Sequence, residues 1–265
     1  MSESPVADLH LHTTASDGRL TVAELPAAAR HGGVTAVAVT DHDRVHSDLA
    51  HLVAVHDEVT IIRGIELRVE TDTQRIDLLG YGVDPTRELT AELDRLQADR
   101  IDRAQRIIDR VERETGVDLA LTPKPGVGRP HIARALTESS APYSYQEAFD
   151  ELIGADGPCY VAREITPVDR GVDLLQDSCR LVGLAHPLRY DDPKRALELA
   201  ADLDAVERYY PYGREISDAE RTLVESAIER NDLLATGGSD AHDKTLGVAG
   251  PPEPAFERFR RRFER

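Results

Sequence analysis

Five short segments of the chain concentrate histidine, aspartate and glutamate in spacings that suit divalent metal ions. They are residues 8–18 (DLHLHTTASDG), 40–43 (TDHD), 64–66 (GIE), 185–187 (AHP) and 237–242 (GGSDAH). Mixed imidazole and carboxylate ligands favour Zn²⁺, Mn²⁺ or Fe²⁺ over Ca²⁺. Close divalent ions lower the pKa of bound water, so the chemistry that these residues suit is metal-assisted hydrolysis.

The first segment predicts ligands on one face of a strand. Alternate residues of a strand face the same side, so Asp8, His10 and His12 should project together. Two such imidazoles can chelate one ion, and a neighbouring carboxylate can orient a ring through its second nitrogen. Asp17 follows the strand end, where a loop residue can reach a second ion. A single His-x-His occurs often by chance, so this segment alone could also be a polar strand face.

The other four segments each follow a predicted strand, which is where barrel enzymes keep their sites. They supply His42, Glu66, His186, Asp240 and His242. A glutamate can bridge two ions, and the glycines before Asp240 allow close approach of the backbone. Any one of these residues alone could be a solvated loop residue. Their common placement at strand ends predicts one metal site at one barrel mouth.

The elements that must position these residues alternate between strand and helix, which favours a parallel α/β architecture. Strands are predicted at residues 6–12, 34–40, 59–65, 75–82, 181–185 and 233–236. A first helix is predicted to open at the capping-box pattern of Thr21 and Glu24 and to end near Gly32 and Gly33. Further helices are predicted at 168–178, 193–202 and 218–231, and another carries His46, His51 and His56.

Residues 86–166 have a different pattern, because helical periodicity continues there without a strand. A long charged helix is predicted at 88–115, and shorter helices at 131–137 and 145–153. The Pro- and Gly-rich stretch 123–130 (PKPGVGRP) separates them. We interpret 86–166 as a helical insertion between two parts of a barrel, residues 1–85 and 167–265.

The composition limits which partners we expect the protein to bind. The net charge of −17 over 265 residues indicates either repulsion of nucleic acid and membrane surfaces or adaptation of the whole surface to high salt. We expect no membrane partner and no extended nucleic-acid surface. The N-terminus lacks the basic start and apolar run of a signal peptide, so a cytoplasmic location is the default expectation.

The five segments, in this order, resemble the PHP (polymerase and histidinol phosphatase) family. The similarity is closest to its stand-alone phosphoesterases, which include 3′,5′-nucleoside bisphosphate phosphatases and 5′-to-3′ exoribonucleases. Residues 128–136 (GRPHIARAL) resemble the helical insertion of that branch. The resemblance implies an α/β fold, a distorted seven-stranded (β/α) barrel with a helical insertion, and two or three divalent metal ions (Mn²⁺, Zn²⁺, Fe²⁺ or Mg²⁺).

The resemblance also implies a ligand set. The implied metal ligands are His10, His12, Asp17, His42, Glu66, Asp77, His186, Asp240 and His242. The branch usually has a histidine where this chain has Asp77. We expect Asp77 to bind a metal in its place and to shift the preference towards Mn²⁺ or Mg²⁺. The alternative is that Asp77 points away and the centre holds two ions.

The implied reaction is hydrolysis of a phosphate ester, with Glu66 beside the attacking water and Asp240 as proton acceptor. Arg129, His131 and Arg134 are predicted substrate contacts, although they could be ordinary surface residues. The substrate is expected to be a phosphorylated small molecule, such as a nucleoside 3′,5′-bisphosphate or histidinol phosphate. The alternatives are 5′-to-3′ trimming of a short oligonucleotide and a non-catalytic metal-binding module.

Overall fold

The computed structural model describes residues 4–265, which form two compact units. One unit comprises residues up to Thr90 together with Ile165–Arg265, and the other comprises Ala91–Glu164. The strands are β1 Ala7–Leu11, β2 Ala36–Val39, β3 Val53–His56, β4 Val59–Glu70, β5 Arg75–Tyr81, β6 Thr166–Pro167, β7 Leu181–Leu184, β8 Ala205–Tyr209 and β9 Leu234–Gly237.

Seven strands of the first unit form one curled path in the order β1-β2-β4-β5-β7-β8-β9, with β3 and β6 pairing with β4. The path returns on itself, because the segment after β9 hydrogen-bonds to β1. The Asp240 amide donates to the His10 carbonyl at 2.8 Å, and the His12 amide donates to the Ala241 carbonyl at 3.0 Å. This arrangement agrees with the predicted distorted seven-stranded barrel.

The sheet is mixed rather than wholly parallel, so that part of the prediction is wrong. The pairs β1-β2-β4 and β7-β8-β9 are parallel, whereas β5 runs antiparallel to both β4 and β7. The reason is a short turn between β4 and β5, which joins them as a hairpin; a parallel pair would need a longer crossover. Strand β4 also continues through residue 70, so Glu66 lies within a strand and not at its end.

One helix was also predicted wrongly from the sequence, and one strand was missed. The helix predicted to carry His46, His51 and His56 is wrong, because residues 53–56 form the edge strand β3, antiparallel to β4. Its exposed Val-Ala-Val-His pattern has no apolar face of helical period. Strand β8 was not predicted, because Glu207 interrupts its short apolar run.

The helices surround the sheet in the first unit and build the second unit. They are α1 Leu25–His31, α2 Arg87–Thr115, α3 Arg129–Glu138, α4 Tyr145–Glu147, α5 Val168–Gln176, α6 Pro193–Leu199, α7 Asp218–Asn231 and α8 Glu253–Phe263. The second unit has its own apolar core, which includes Ile107, Ile132 and Leu152. That residues 86–166 form a separate inserted domain stays a prediction. Among residues 4–265, no helix is both long and apolar enough to cross a bilayer.

Candidate metal centre

Strand β1 turns its leucines to one side and its histidines to the other, as its alternation predicts. Leu9 and Leu11 are fully buried in apolar clusters of the first unit. His10 and His12 have no exposed surface either, yet their rings lie 5.3 Å apart among other polar groups. The burial of two imidazoles beside carboxylates indicates a built site rather than a solvated strand face.

The loop after β1 is held by Asp41, the residue next to His42. The Asp41 carboxylate accepts hydrogen bonds from the Thr13 amide at 2.8 Å, the Thr13 hydroxyl at 2.7 Å and the Ser16 hydroxyl at 2.6 Å. These bonds fix the turn in front of Asp17. As a result, Asp17 Oδ1 lies 3.4 Å from His242 Nε2 and 3.9 Å from His42 Nε2.

The glycines of the last segment allow that segment to approach β1. A Cβ on Gly238 would lie 2.3 Å from the His10 amide nitrogen, a distance that no side chain can occupy. Asp240 itself adopts a left-handed backbone conformation, with φ of 49°. This close approach brings Asp240 Oδ1 to 3.1 Å from His12 Nε2 and 3.5 Å from His10 Nε2.

Eight of the nine predicted ligand residues meet in three overlapping groups, each with ligand atoms within 4.8 Å of one another. The groups are His12, Asp17, His42 and His242; His10, His12 and Asp240; and His10, Glu66 and His186. We call the first group the loop end of the centre. We call His10, Glu66 and His186, with the adjoining Asp77, the strand end. His10 and His12 each belong to two groups, so ions in neighbouring groups would lie next to the same histidine.

Glu66 faces imidazoles with both carboxylate oxygens. Its Oε1 lies 3.1 Å from His186 Nε2 and 3.4 Å from His10 Nε2. Its Oε2 lies 3.4 Å from His12 Nε2 and 2.5 Å from His42 Nδ1. Ligands about 2.1 Å from a tetrahedral ion are about 3.4 Å from one another, so most of these separations match the edges of a coordination shell. The two oxygens of Glu66 therefore face the two ends of the centre, Oε1 the strand end and Oε2 the loop end.

His10 is oriented by Glu207, a residue that sequence analysis missed. Both Glu207 oxygens lie 3.2 Å from His10 Nδ1, and Oε2 also accepts the His186 amide at 2.8 Å. The carboxylate predicted for such orientation was Asp8. Asp8 instead accepts hydrogen bonds from the Ser239 hydroxyl and the Gly247 amide, so it holds the loop that follows β9. Glu207 lies on the unpredicted β8, whose five residues show no clear alternation from which it could have been found.

The donor set fits divalent cations. Among residues 4–265, three buried ring nitrogens of the centre have no hydrogen-bond partner: His10 Nε2, His12 Nδ1 and His186 Nδ1. Burial alone would lower the pKa of the His10 imidazole, but the surrounding carboxylates, Glu207 foremost, raise it well above its usual value. Burial likewise opposes a rise at His242, yet the Asp17 carboxylate raises its pKa to about 9. The carboxylates beside His10 and His242 thus favour positive charge at these two positions, which bound metal ions can supply.

Asp77, the ninth predicted ligand, lies beside the three groups. Its Oδ2 is 3.7 Å from His186 Nε2. Its carboxylate accepts two hydrogen bonds from Arg68, Nε to Oδ1 and Nη2 to Oδ2, both 2.6 Å long. A ligand role for Asp77 stays a prediction. Arg68 was not singled out from the sequence, because only the antiparallel register of β4 and β5 sets it opposite Asp77.

The predicted substrate contacts lie in the second unit. Arg129 donates to the Ile153 carbonyl at 3.0 Å and packs over the rings of Phe149 and Tyr160. His131 Nδ1 accepts the Gly128 amide at 3.2 Å and so helps to begin α3. Arg134 lies on the same helix. Roles of Arg129, His131 and Arg134 in substrate binding stay predictions.

Two further residues contact the centre directly and were also missed. Arg189 Nη1 donates to Asp240 Oδ2 at 3.1 Å, and the Tyr210 hydroxyl donates to the same oxygen at 2.8 Å. The Arg189 guanidinium also packs over the Tyr210 ring, 5.9 Å from its centre. One oxygen of Asp240 therefore faces histidines while the other is held by Arg189 and Tyr210.

Comparisons with known proteins agree with this geometry. The PHP domain model matches residues 8–155, more than half of the chain. The chain is 29% identical to the 5′-3′ exoribonuclease of Haemophilus influenzae, over 95% of this chain and 98% of that protein. It is 26% identical to the 3′,5′-nucleoside bisphosphate phosphatase of Chromobacterium violaceum, over 89% of this chain and 86% of that one. A crystal structure from Bifidobacterium adolescentis, described as a candidate metal-dependent phosphoesterase, superimposes with a TM-score of 0.81, 24% identity and 98% coverage of each chain. The chain belongs to the PHP domain family.

Proposed function

We propose that the protein is a metal-dependent phosphoesterase that hydrolyses a nucleotide phosphate ester, with a nucleoside 3′,5′-bisphosphate as the first candidate substrate. One observation carries the proposal. Three overlapping groups of buried imidazoles and carboxylates share His10 and His12, and their ligand atoms have the spacing of adjoining coordination shells. Both closely related proteins described above are named for cleavage of phosphate esters.

In this proposal the metal ions, of which there are two or three, take their ligands from the eight clustered side chains. Bound Mn²⁺, Zn²⁺, Fe²⁺ or Mg²⁺ would supply a water of lowered pKa and positive charge for the phosphoryl oxygens. Glu207 holds His10 in the tautomer that carries its proton on Nδ1 and so leaves Nε2 for ligation.

The two catalytic carboxylates of the proposal are Glu66 and Asp240. Glu66 turns one oxygen towards each end of the centre and orients the attacking water between them. Asp240 accepts the proton of that water on Oδ1, the oxygen that faces His10 and His12. Arg189 and Tyr210 occupy Oδ2 and keep the carboxylate in this orientation.

A cavity beside the centre supports a nucleotide rather than a simple phosphate as substrate. It has a volume of about 710 Å³, and Tyr210 and Tyr212 line it together with Arg208. Tyr210 also donates to Asp240, so the cavity adjoins the centre through this residue. Aromatic rings stack with nucleobases, and arginines pair with phosphate. We propose that the base and sugar of the substrate enter here. The predicted substrate contacts Arg129, His131 and Arg134 stay a separate prediction.

Trimming of short 5′-phosphorylated RNA is the second candidate. The similarity to a 5′-3′ exoribonuclease over nearly the full length of both chains favours it. The same centre would then cleave a phosphodiester whose leaving group is the next nucleotide. The net charge of −17 favours short substrates over long ones, because an acidic surface repels an extended polyanion.

A substrate panel tests the proposal. Metal-stripped protein is supplied with Mn²⁺, Zn²⁺ or Mg²⁺ and offered adenosine 3′,5′-bisphosphate, 5′-phosphorylated RNA trinucleotide and histidinol phosphate. We expect phosphate release from the bisphosphate, restored by added metal and greatest for that substrate. Faster release of 5′-mononucleotides from the RNA would assign the second function. Metal binding without hydrolysis of any substrate would identify a non-catalytic module and contradict the proposal.

A further inference from the structure

A doubly hydrogen-bonded ion pair closes the strand end of the centre. Arg68 on β4 and Asp77 on β5 are directly opposite each other in the antiparallel ladder. Nε and Nη2 of Arg68 donate to Oδ1 and Oδ2 of Asp77, each at 2.6 Å. This fork-to-fork geometry gives the strongest type of arginine–carboxylate contact and leaves little orientational freedom. Both oxygens of Asp77 are thus committed to a cation that belongs to the chain itself.

The pair stands where a further metal ion would need ligands. Asp77 Oδ2 lies 3.7 Å from His186 Nε2, and that nitrogen lies 3.1 Å from Glu66 Oε1. An ion between His186 and Asp77 would lie close to the guanidinium and be repelled by it. The side chain of Asp77 is only 2% exposed, so solvent would screen this repulsion weakly.

Arg68 is held on the other side as well. Its amide donates to Asp43 Oδ1 at 3.0 Å, which ties this part of β4 to the loop that carries His42. An arginine guanidinium stays protonated in proteins, so Arg68 is a permanent cation. Two of the five N–H groups of the Arg68 guanidinium donate to Asp77. The Arg68 side chain is 38% exposed, so a phosphate oxygen of a substrate can reach it from the solvent.

We propose that Arg68 replaces one metal ion of the centre. The chain then binds two divalent ions, and the outer edge of the Arg68 guanidinium binds a phosphoryl oxygen of the substrate at the strand end. Asp77 positions Arg68 and is not a metal ligand. The inference deepens the proposed function and rests on it for the identity of the ligand as a phosphate ester. Ion counting and phosphate binding test the inference without any measurement of hydrolysis.

The first test counts ions in the unaltered protein. Purified chain is saturated with Mn²⁺, freed of excess metal, and analysed by inductively coupled plasma mass spectrometry, with electron paramagnetic resonance during the titration. We expect two ions per chain. Three ions in the unaltered chain would overturn the proposal without the use of any variant. The double variant Arg68→Ser/Asp77→His, which removes the guanidinium and offers an imidazole, should bind a third.

The second test measures phosphate binding. Calorimetric titration of the Mn²⁺-loaded protein with inorganic phosphate should show affinity weaker by about tenfold or more in Arg68→Met, because hydrogen bonds to charged groups are the stronger kind. Arg68→Lys should recover part of this loss, since it keeps the charge. Arg75→Met, on the neighbouring strand with a half-exposed partner in Glu70, is the matched control and should bind phosphate normally.

The outcomes separate the inference from the proposed function. Unchanged phosphate affinity in a folded Arg68→Met chain that still holds two ions would overturn the phosphate-binding role. If Arg68→Met does not fold, Arg68→Lys supplies the same comparison, with the ion count of the unaltered chain as a second readout. The chain could bind two ions, and bind phosphate through Arg68, without hydrolysing any substrate. That result would support the inference and contradict the proposed function.

Discussion

The two ends of the metal centre differ in the elements that carry their side chains, in their exposure to solvent and in their charge. At the loop end, the side chains of Asp17, His42 and His242 come from loops and are 10%, 21% and 36% exposed. At the strand end, Glu66, His186 and Asp77 are at most 3% exposed. The strand end also contains the guanidinium of Arg68, whereas the loop end combines imidazoles with a carboxylate. From this difference we expect an ion at the accessible loop end to exchange more readily, whereas the buried strand end already contains the positive charge of Arg68.

The largest expected effect is at Glu66, the residue that joins the two ends. Glu66→Gln keeps the shape but removes the charge, so the hydrolytic rate should fall about a hundredfold to a thousandfold, as for other electrostatic contacts at a reaction centre. The measurement is the steady-state rate with Mn²⁺, together with metal content. Glu70→Gln, on the exposed end of the same strand, is the control and should retain the rate. A normal rate in Glu66→Gln with metal retained would remove the bridging role.

Glu207→Gln should weaken metal binding by about tenfold to a hundredfold, the usual cost of losing the carboxylate that orients a histidine ligand. The loss should affect the ion near His10 and spare the ion at the loop end, because Glu207 contacts His10 and the His186 amide. Competition with a chelator, followed ion by ion, measures this difference. Glu229→Gln on the exposed face of α7 is the control. Equal weakening of both ions would show that the two ends are not independent.

Asp17→Asn should act on the loop end alone. The variant weakens one ion and lowers the rate about tenfold, less than Glu66→Gln does, because a neutral oxygen ligand remains and the histidines there are intact. Mn²⁺ titration followed by electron paramagnetic resonance reports the loss of one binding step. Asp48→Asn, at an exposed loop position, should titrate like the unaltered chain. A loss of both binding steps in Asp17→Asn would contradict the separation of the ends.

Asp77→Ala should have the smallest effect on metal content. If Asp77 positions Arg68, the variant keeps its two ions and loses rate by less than about tenfold, since the guanidinium remains but is less well held. The measurement is the ion count beside the rate. Asp72→Ala, in the exposed turn between β4 and β5, is the control. Loss of one ion in Asp77→Ala would restore Asp77 as a metal ligand.

Sequence spacing predicted which side chains come together wherever one local pattern places a side chain. His10 and His12 alternate with buried leucines, and His42 and His186 follow short apolar strands, so each could be placed from its immediate neighbours. The fold class followed from the ordered segments and their family resemblance. Gly238 also met its expected role, because the close approach to His10 leaves no room for a Cβ.

The parts that sequence analysis missed depend on contacts between distant segments. Glu207 orients His10 from a strand whose five residues, AVERY, have too weak a pattern to predict. The pairing of Arg68 with Asp77 depends on the register of two strands that were expected to be parallel. Arg189 and Tyr210 reach Asp240 from separate loops. No local spacing encodes these meetings, because tertiary packing creates them.

Anomalous diffraction from crystals grown with Mn²⁺ tests the central claim most directly, because it locates the ions independently of activity. The account predicts two peaks, each about 2 Å from its ligand atoms. One lies within the group His12, Asp17, His42 and His242, and the other beside His10, His12 and Asp240, with Glu66 reaching both. No peak is expected between His186 and Asp77, where Arg68 stands. Peaks elsewhere, or no peak within these groups, would contradict the account.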